Sequence, residues 1–198
     1  MPPGRTSAAS QLASLVVFIA ALVVAESRAP ATVKKLVPVY YDVGVCSDKP
    51  HYTEIQNLTI TMDERGAHYV NSAVLLTKEM KSVSKLLVHL TKCTGGKATN
   101  LCEYYLRWVW TTGLCHLIPA RGMLWSPFYD AFEPPFSCPM KGHYFVRNAT
   151  LDVDNLKGLF PDMHRHIWPA EFQVYNENAD LIGCILFTVE FRYVKGKA

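Results

Sequence analysis

The sequence lacks any apolar run long enough to cross a membrane. Its one extended run, LASLVVFIAALVVA from Leu12 to Ala25, has 14 residues, against the roughly 20 that a spanning helix needs. Arg5 precedes the run and the small residues Val23 and Ala25 end it, which is the pattern of a secretory signal peptide covering residues 1–25 and cut near Glu26. No short C-x2-C pair occurs, so no metal site is expected. No G-x-S-x-G, P-loop or dinucleotide fingerprint is present either. Blocks of like charge are also missing. The 20 Lys and Arg residues are interspersed with 17 Asp and Glu residues for a formal charge of +3, which excludes a nucleic-acid footprint. The chain has no internal repeat and no low-complexity segment. A mature chain of about 170 residues is the size of one domain, 26–198, with a substantial core.

What is present begins with cysteine. Cys46, Cys93, Cys102, Cys115, Cys138 and Cys184 all follow the signal peptide, and an even number in an exported chain reads as three disulfides. Six cysteines allow fifteen pairings, and spacing does not choose among them. Asn57-Leu58-Thr59 and Asn148-Ala149-Thr150 are N-glycan acceptors in a eukaryotic secretory pathway, so both asparagines are expected at the surface. Asn100-Leu101-Cys102 is a poor acceptor.

Hydrophobic periodicity reads as β structure throughout. The odd positions from Val37 to Val45 are apolar, and Leu58, Ile60 and Met62 alternate with Asn57, Thr59 and Thr61, which puts Asn57 on the solvent face. Asp63 to Gly66 is a turn. Runs at 67–78, 83–92 and 103–110 follow, the last with Tyr104, Leu106, Trp108 and Trp110 on one face. Between Cys115 and Phe136 the pattern becomes a long ordered loop with one or two short helical turns, placed first at Pro127 to Phe132. Strands resume at 143–151, 171–175 and 185–194, with a polar turn at 176–180 joining the last two as a hairpin. Seven or eight antiparallel strands with little helix describe an all-β sandwich or open cup.

Catalytic groups are scarce. His164 and His166 read as exposed loop histidines, and Cys115 and His116, adjacent on an extended chain, point apart. These three histidines are the only basic groups a small lipid hydrolase could use, so a non-enzymatic protein without a cofactor is expected. The positive signal is aromatic. Trp125 to Phe136 and Leu159 to Trp168 read as loops, where large apolar residues are hard to hide. A sheet stapled by disulfides also depends less on a filled interior.

The order Cys138-Pro139-x-Lys141-Gly142-x-Tyr144, a strand ending near Asn148, then Leu159-Phe160-Pro161 and Gly183-Cys184-Ile185 resembles the ganglioside-activator type of lipid-binding β-cup. It resembles still more closely a group of secreted arthropod domains related to that type, which includes chemosensory proteins. In that group a segment like Cys115-His116-Leu117-Ile118, followed by an apolar helical piece resembling Leu124 to Phe132, precedes the Cys-Pro. The resemblance covers about Tyr40 to Tyr193 and implies the pairs Cys46 to Cys184, Cys93 to Cys102 and Cys115 to Cys138. The activator type has one further bridge in the loop before the Cys-Pro, which this chain lacks. Alternation puts Cys184 on the polar face of the last strand. Either a bulge at Gly183 shifts the parity or the bridge lies at the rim.

The expected function is a secreted carrier that holds a lipid or other apolar small molecule, in chemosensation or lipid transport, outside the cell or in an endosomal or lysosomal lumen. The predicted wall is Trp108, Trp110, Phe145, Phe172, Phe187 and Phe191, and the predicted mouth is Trp125, Phe128, Phe160, Met163 and Trp168. The alternative is an extracellular accessory protein for a receptor or secreted partner, with Trp125 and Trp168 as exposed anchors.

Overall fold

The computed structural model describes residues 34–153 and 162–195. The expected signal peptide, 1–25, lies outside the described residues, and among these no helix is long and apolar enough to cross a membrane. Among the described residues nine strands form two antiparallel sheets. Strands β1 (Lys34–Val45), β4 (Val83–Cys93), β5 (Cys102–Trp110), β8 (Ile167–Asn176) and β9 (Leu181–Lys195) make a five-stranded sheet in the order β1-β9-β8-β4-β5. Strands β2 (Thr53–Met62), β3 (His68–Met80), β6 (Phe132–Glu133) and β7 (Met140–Ala149) make a four-stranded sheet in the order β2-β3-β7-β6. The all-β expectation holds. The two-residue β6 is too short to carry a periodic signal and takes the count above the seven or eight strands expected.

Two short helices lie between β5 and β7: α1 (Leu114–Leu117) and α2 (Ser126–Asp130). The first was expected as extended chain. Gly113 takes a left-handed φ of 66° and starts the turn, after which the N–H groups of Leu117 and Ile118 donate to the carbonyls of Gly113 and Leu114. Leu114 and Ile118, four residues apart on one face, are both buried.

All six cysteines are bridged, as Cys46–Cys184, Cys93–Cys102 and Cys115–Cys138. The first joins the end of β1 to β9 within one sheet. Cys184 pairs across from Gln173 on the outer face of that sheet and is fully buried. A bulge exists, but its extra residue is Ile182, ahead of Gly183. It turns Ile182 into the core and leaves Cys184 outside. Gly183 is the residue that fits here, because a Cβ would lie 3.0 Å from Thr53 Oγ1, which donates to the Ile182 carbonyl.

The core divides into two clusters. One gathers Leu36, Tyr40, Val70, Val146, Met163, Trp168, Val189 and Phe191. The other gathers Leu76, Met80, Val83, Leu114, Ile118, Met140, Tyr144 and Ile182. Val74 and Phe132 touch both. The backbones of the two sheets come closest where β1 and β9 face β2 and β3. Farther across, β4 is met by α1 and β7 by α2.

Candidate functional site

The register of the five-stranded sheet determines which side chains share its inner face. Trp110, Trp108 and Leu106 lie opposite Leu86, Val88 and Leu90 of β4, which in turn lie opposite Val174, Phe172 and Ala170 of β8. Phe172 and Ala170 lie opposite Ile185 and Phe187 of β9. A well-filled sandwich would bury this middle stretch. Instead Leu86, Leu90, Trp110, Phe172, Val174, Ile185 and Phe187 are only half-buried, and Trp108 is 41% exposed. They lie between the two packed clusters, on the side where the facing sheet ends in the two-residue β6. Strand β5 is an edge, and most of its residues are exposed on both faces.

Two groups of aromatic rings border this inner face. Phe172 and Phe187 stack with centroids 5.1 Å apart, and Tyr40 meets Phe187 edge-on at 6.3 Å. At the open edge Trp108 and Trp110 are 5.6 Å apart, and Trp125 stands 6.5 Å from Trp110. The Trp125 indole is fixed by donating Nε1–H to the Ile118 carbonyl at 3.1 Å. Phe128 is half-buried against the first cluster. The wall and mouth expected at Trp108, Trp110, Trp125, Phe128, Phe172 and Phe187 therefore fall on one side of the molecule.

Other expected site residues lie elsewhere. Phe145 is 51% exposed on the outer face of the four-stranded sheet, and its neighbour Tyr144 is the one turned into the core. Phe191, Met163 and Trp168 are core residues, with Trp168 only 3% exposed and donating Nε1–H to the Met163 carbonyl at 2.9 Å. Trp168 is thus no exposed anchor, because β8 begins at Ile167 and carries it inward. Phe160 lies outside the described residues. Tyr40, missed from the sequence, ends the Phe172–Phe187 row. A bulge at Tyr41 between two register segments of β1 turns Tyr40 inward, where the odd positions, Tyr41 among them, had been expected.

Burial pushes the Tyr40 hydroxyl well above the usual phenol range, an effect that Thr150 only partly offsets. Thr150 does not reach hydrogen-bonding geometry, so among the described residues this hydroxyl has no partner.

Among the described residues, the histidines and cysteine considered for catalysis do not converge. His116 is exposed on α1, His164 packs on Tyr193 at 5.1 Å, and His166 contacts Thr94 Oγ1 at 3.1 Å. Cys46, Cys184 and Glu171 come together, but both sulfurs are committed to a disulfide and offer no thiolate. Burial opposes ionisation of Glu171, yet hydrogen bonds from Lys49 and Gln173 outweigh it and hold the carboxyl below its ordinary value. Arg192, then Tyr41, does the same for Glu190 on the outer face. Two open recesses, of about 390 Å³ beside Asn148 and about 210 Å³ beside His164 and His166, include no residue of the inner aromatic face. No known protein family and no curated protein matches this sequence.

Proposed function

We propose that this chain is a secreted, non-enzymatic carrier that holds a lipid or another apolar small molecule between its two sheets, on the side where, among the described residues, β6 and the two helices stand. The observation that carries the reading is the incomplete burial of Trp108, Trp110, Phe172 and Phe187 on the inner face of the five-stranded sheet, around the buried Val88 and Ala170. Apolar surface left between two well-packed clusters is stabilised when an apolar molecule covers it. Each methylene so covered contributes about 0.8 kcal/mol. An acyl chain therefore needs no polar recognition to bind. The sequence motifs resemble those of the ganglioside-activator type and its chemosensory arthropod relatives, and the three cysteine pairs are those that the resemblance implies. Three disulfides and no free cysteine among the described residues favour an oxidising, extracellular destination, and the exposed Asn57 and Asn148 are then N-glycan acceptors.

Native mass spectrometry of protein purified without detergent or organic solvent tests the carrier reading. The expected spectrum carries an added mass that organic extraction removes. Protein that is ligand-free as isolated, and that also takes up no added fatty acid, would overturn it.

One observation favours an accessory role beside the carrier role. Tyr104, 71% exposed on the outer face of edge strand β5, lies outside the cup. Tyr104→Ser is expected to spare ligand uptake. Loss of a receptor interaction in that variant would mark β5 as the contact.

A further inference from the structure

The two acceptor asparagines are placed alike but surrounded differently. Along β7, Phe145 and Arg147 face solvent while Val146 and Ala149 are buried. Strict alternation would put Asn148 on the inward side with Val146. Instead Arg147 and Asn148 together oppose the single Asn71 of β3, and Asn148 takes a left-handed φ of 55°, which turns it outward. Asn57 does the same in β2, with φ 52°, where Asn57 and Leu58 oppose Ser72. Asparagine is among the few side chains that tolerate this conformation.

A recess lies beside Asn148. Its walls are Thr61, Met62, Asp63 and Tyr69, around a volume of about 390 Å³. Asn71 ties two of the lining residues, Asn148 and Thr61, together. Its Oδ1 accepts the backbone N–H of Asn148 at 2.8 Å, and its Nδ2 donates to Thr61 Oγ1 at 3.3 Å. Asp63 accepts the N–H groups of Arg65 and Ala67, both at 2.9 Å, and the Tyr69 hydroxyl donates to its other oxygen at 3.4 Å. The recess thus offers a thioether and an aromatic ring beside a fixed carboxylate and a hydroxyl. A pyranose has the complementary surface, with C–H groups on one face and hydroxyls around the rim.

We propose that Asn148 carries an N-linked glycan whose first N-acetylglucosamine lies in this recess, against Tyr69 and Met62, and becomes part of the folded structure. The inference rests on the reading of the chain as exported through a glycosylating compartment. There the Nδ2 of Asn148 attacks C1 of a lipid-diphosphate-linked oligosaccharide. The Nδ2–C1 bond forms, the C1–O bond breaks with its electron pair leaving on the diphosphate, and the amide loses one proton. Asn57, in the same backbone conformation but outside the recess, is the internal control.

The test uses full-length protein secreted from a eukaryotic host with Asn57→Asp. Endoglycosidase trimming leaves one sugar on Asn148, and amidase treatment removes it and leaves aspartate. Peptide mass is expected to show Asn148 occupied, and the single-sugar form is expected to melt about 2–4 °C above the amidase-treated form. That gain is expected to fall by at least half in Tyr69→Leu and in the exposed-side-chain variant Met62→Ser. In an Asn148→Asp background the same trimming at Asn57 is expected to give no comparable gain. An unmodified Asn148 would overturn the inference together with the export reading. An occupied Asn148 whose sugar gives no gain, or a gain untouched by either recess variant, would overturn the recess assignment alone.

Discussion

Tyr40 carries the one buried side-chain polar atom that lacks a partner among the described residues. A hydroxyl that gives up water without a replacement hydrogen bond costs stability, so replacing it by hydrogen removes a penalty. Tyr40→Phe is therefore expected to melt at the same temperature as the parent or higher, in a thermal scan of ligand-free protein. A loss above about 1 kcal/mol would show that the hydroxyl has a partner after all. Glu190 makes a pH-dependent contribution of opposite logic. Its hydrogen bonds to Arg192 and Tyr41 lower its folded-state pKa, so it binds protons less readily folded than unfolded. The stability it contributes is complete above the unfolded value, about 4.3, and is lost as pH falls through the folded one. Melting temperatures between about pH 5 and 3 are expected to fall less steeply in Glu190→Gln than in the parent.

At the scale of elements, β5 and the bulges decide what the interior looks like. Strand β5 has one neighbour and is exposed on both faces, whereas β8 and β9 are flanked on both sides. Hydrogen exchange is expected to be faster in β5 than in either by an order of magnitude or more, and equal protection would argue that something else covers the edge. The strands themselves were legible from alternation, since their apolar positions recur at period two. Their faces were less legible, because single inserted residues reverse them. Tyr105 is the extra residue of β5, so Tyr104 falls on the outer face and away from Trp108, while Tyr105 packs edge-on against Trp168 at 5.0 Å. Tyr41 in β1 and Ile182 in β9 do the same. A bulge leaves no period-two signature in a row of aromatics, because either neighbour suits either face. The sequons were the exception, since an acceptor asparagine must face solvent whatever the alternation says.

At the scale of the whole molecule, the sheets meet closely along β1 and β9 and leave an aromatic face half-covered along β4, β5 and β8. Two helical turns stand where further strand would close the sandwich. The two-sheet β fold and the three bridges were legible from the alternation and the cysteine count. The side on which the inner face is left half-covered was not, because that depends on β6 being two residues long and on α1 turning at Gly113. If the opening admits an apolar ligand, three of the four tryptophans will report it. Titration with a fatty acid brominated along its chain, which quenches indoles in contact with it, tests this most directly. Saturable quenching is predicted, persisting in Trp168→Phe and lost in the Trp108→Phe, Trp110→Phe, Trp125→Phe triple variant. Absence of saturable quenching, or quenching that survives the triple variant and disappears with Trp168, would contradict an apolar site on the open side of the cup.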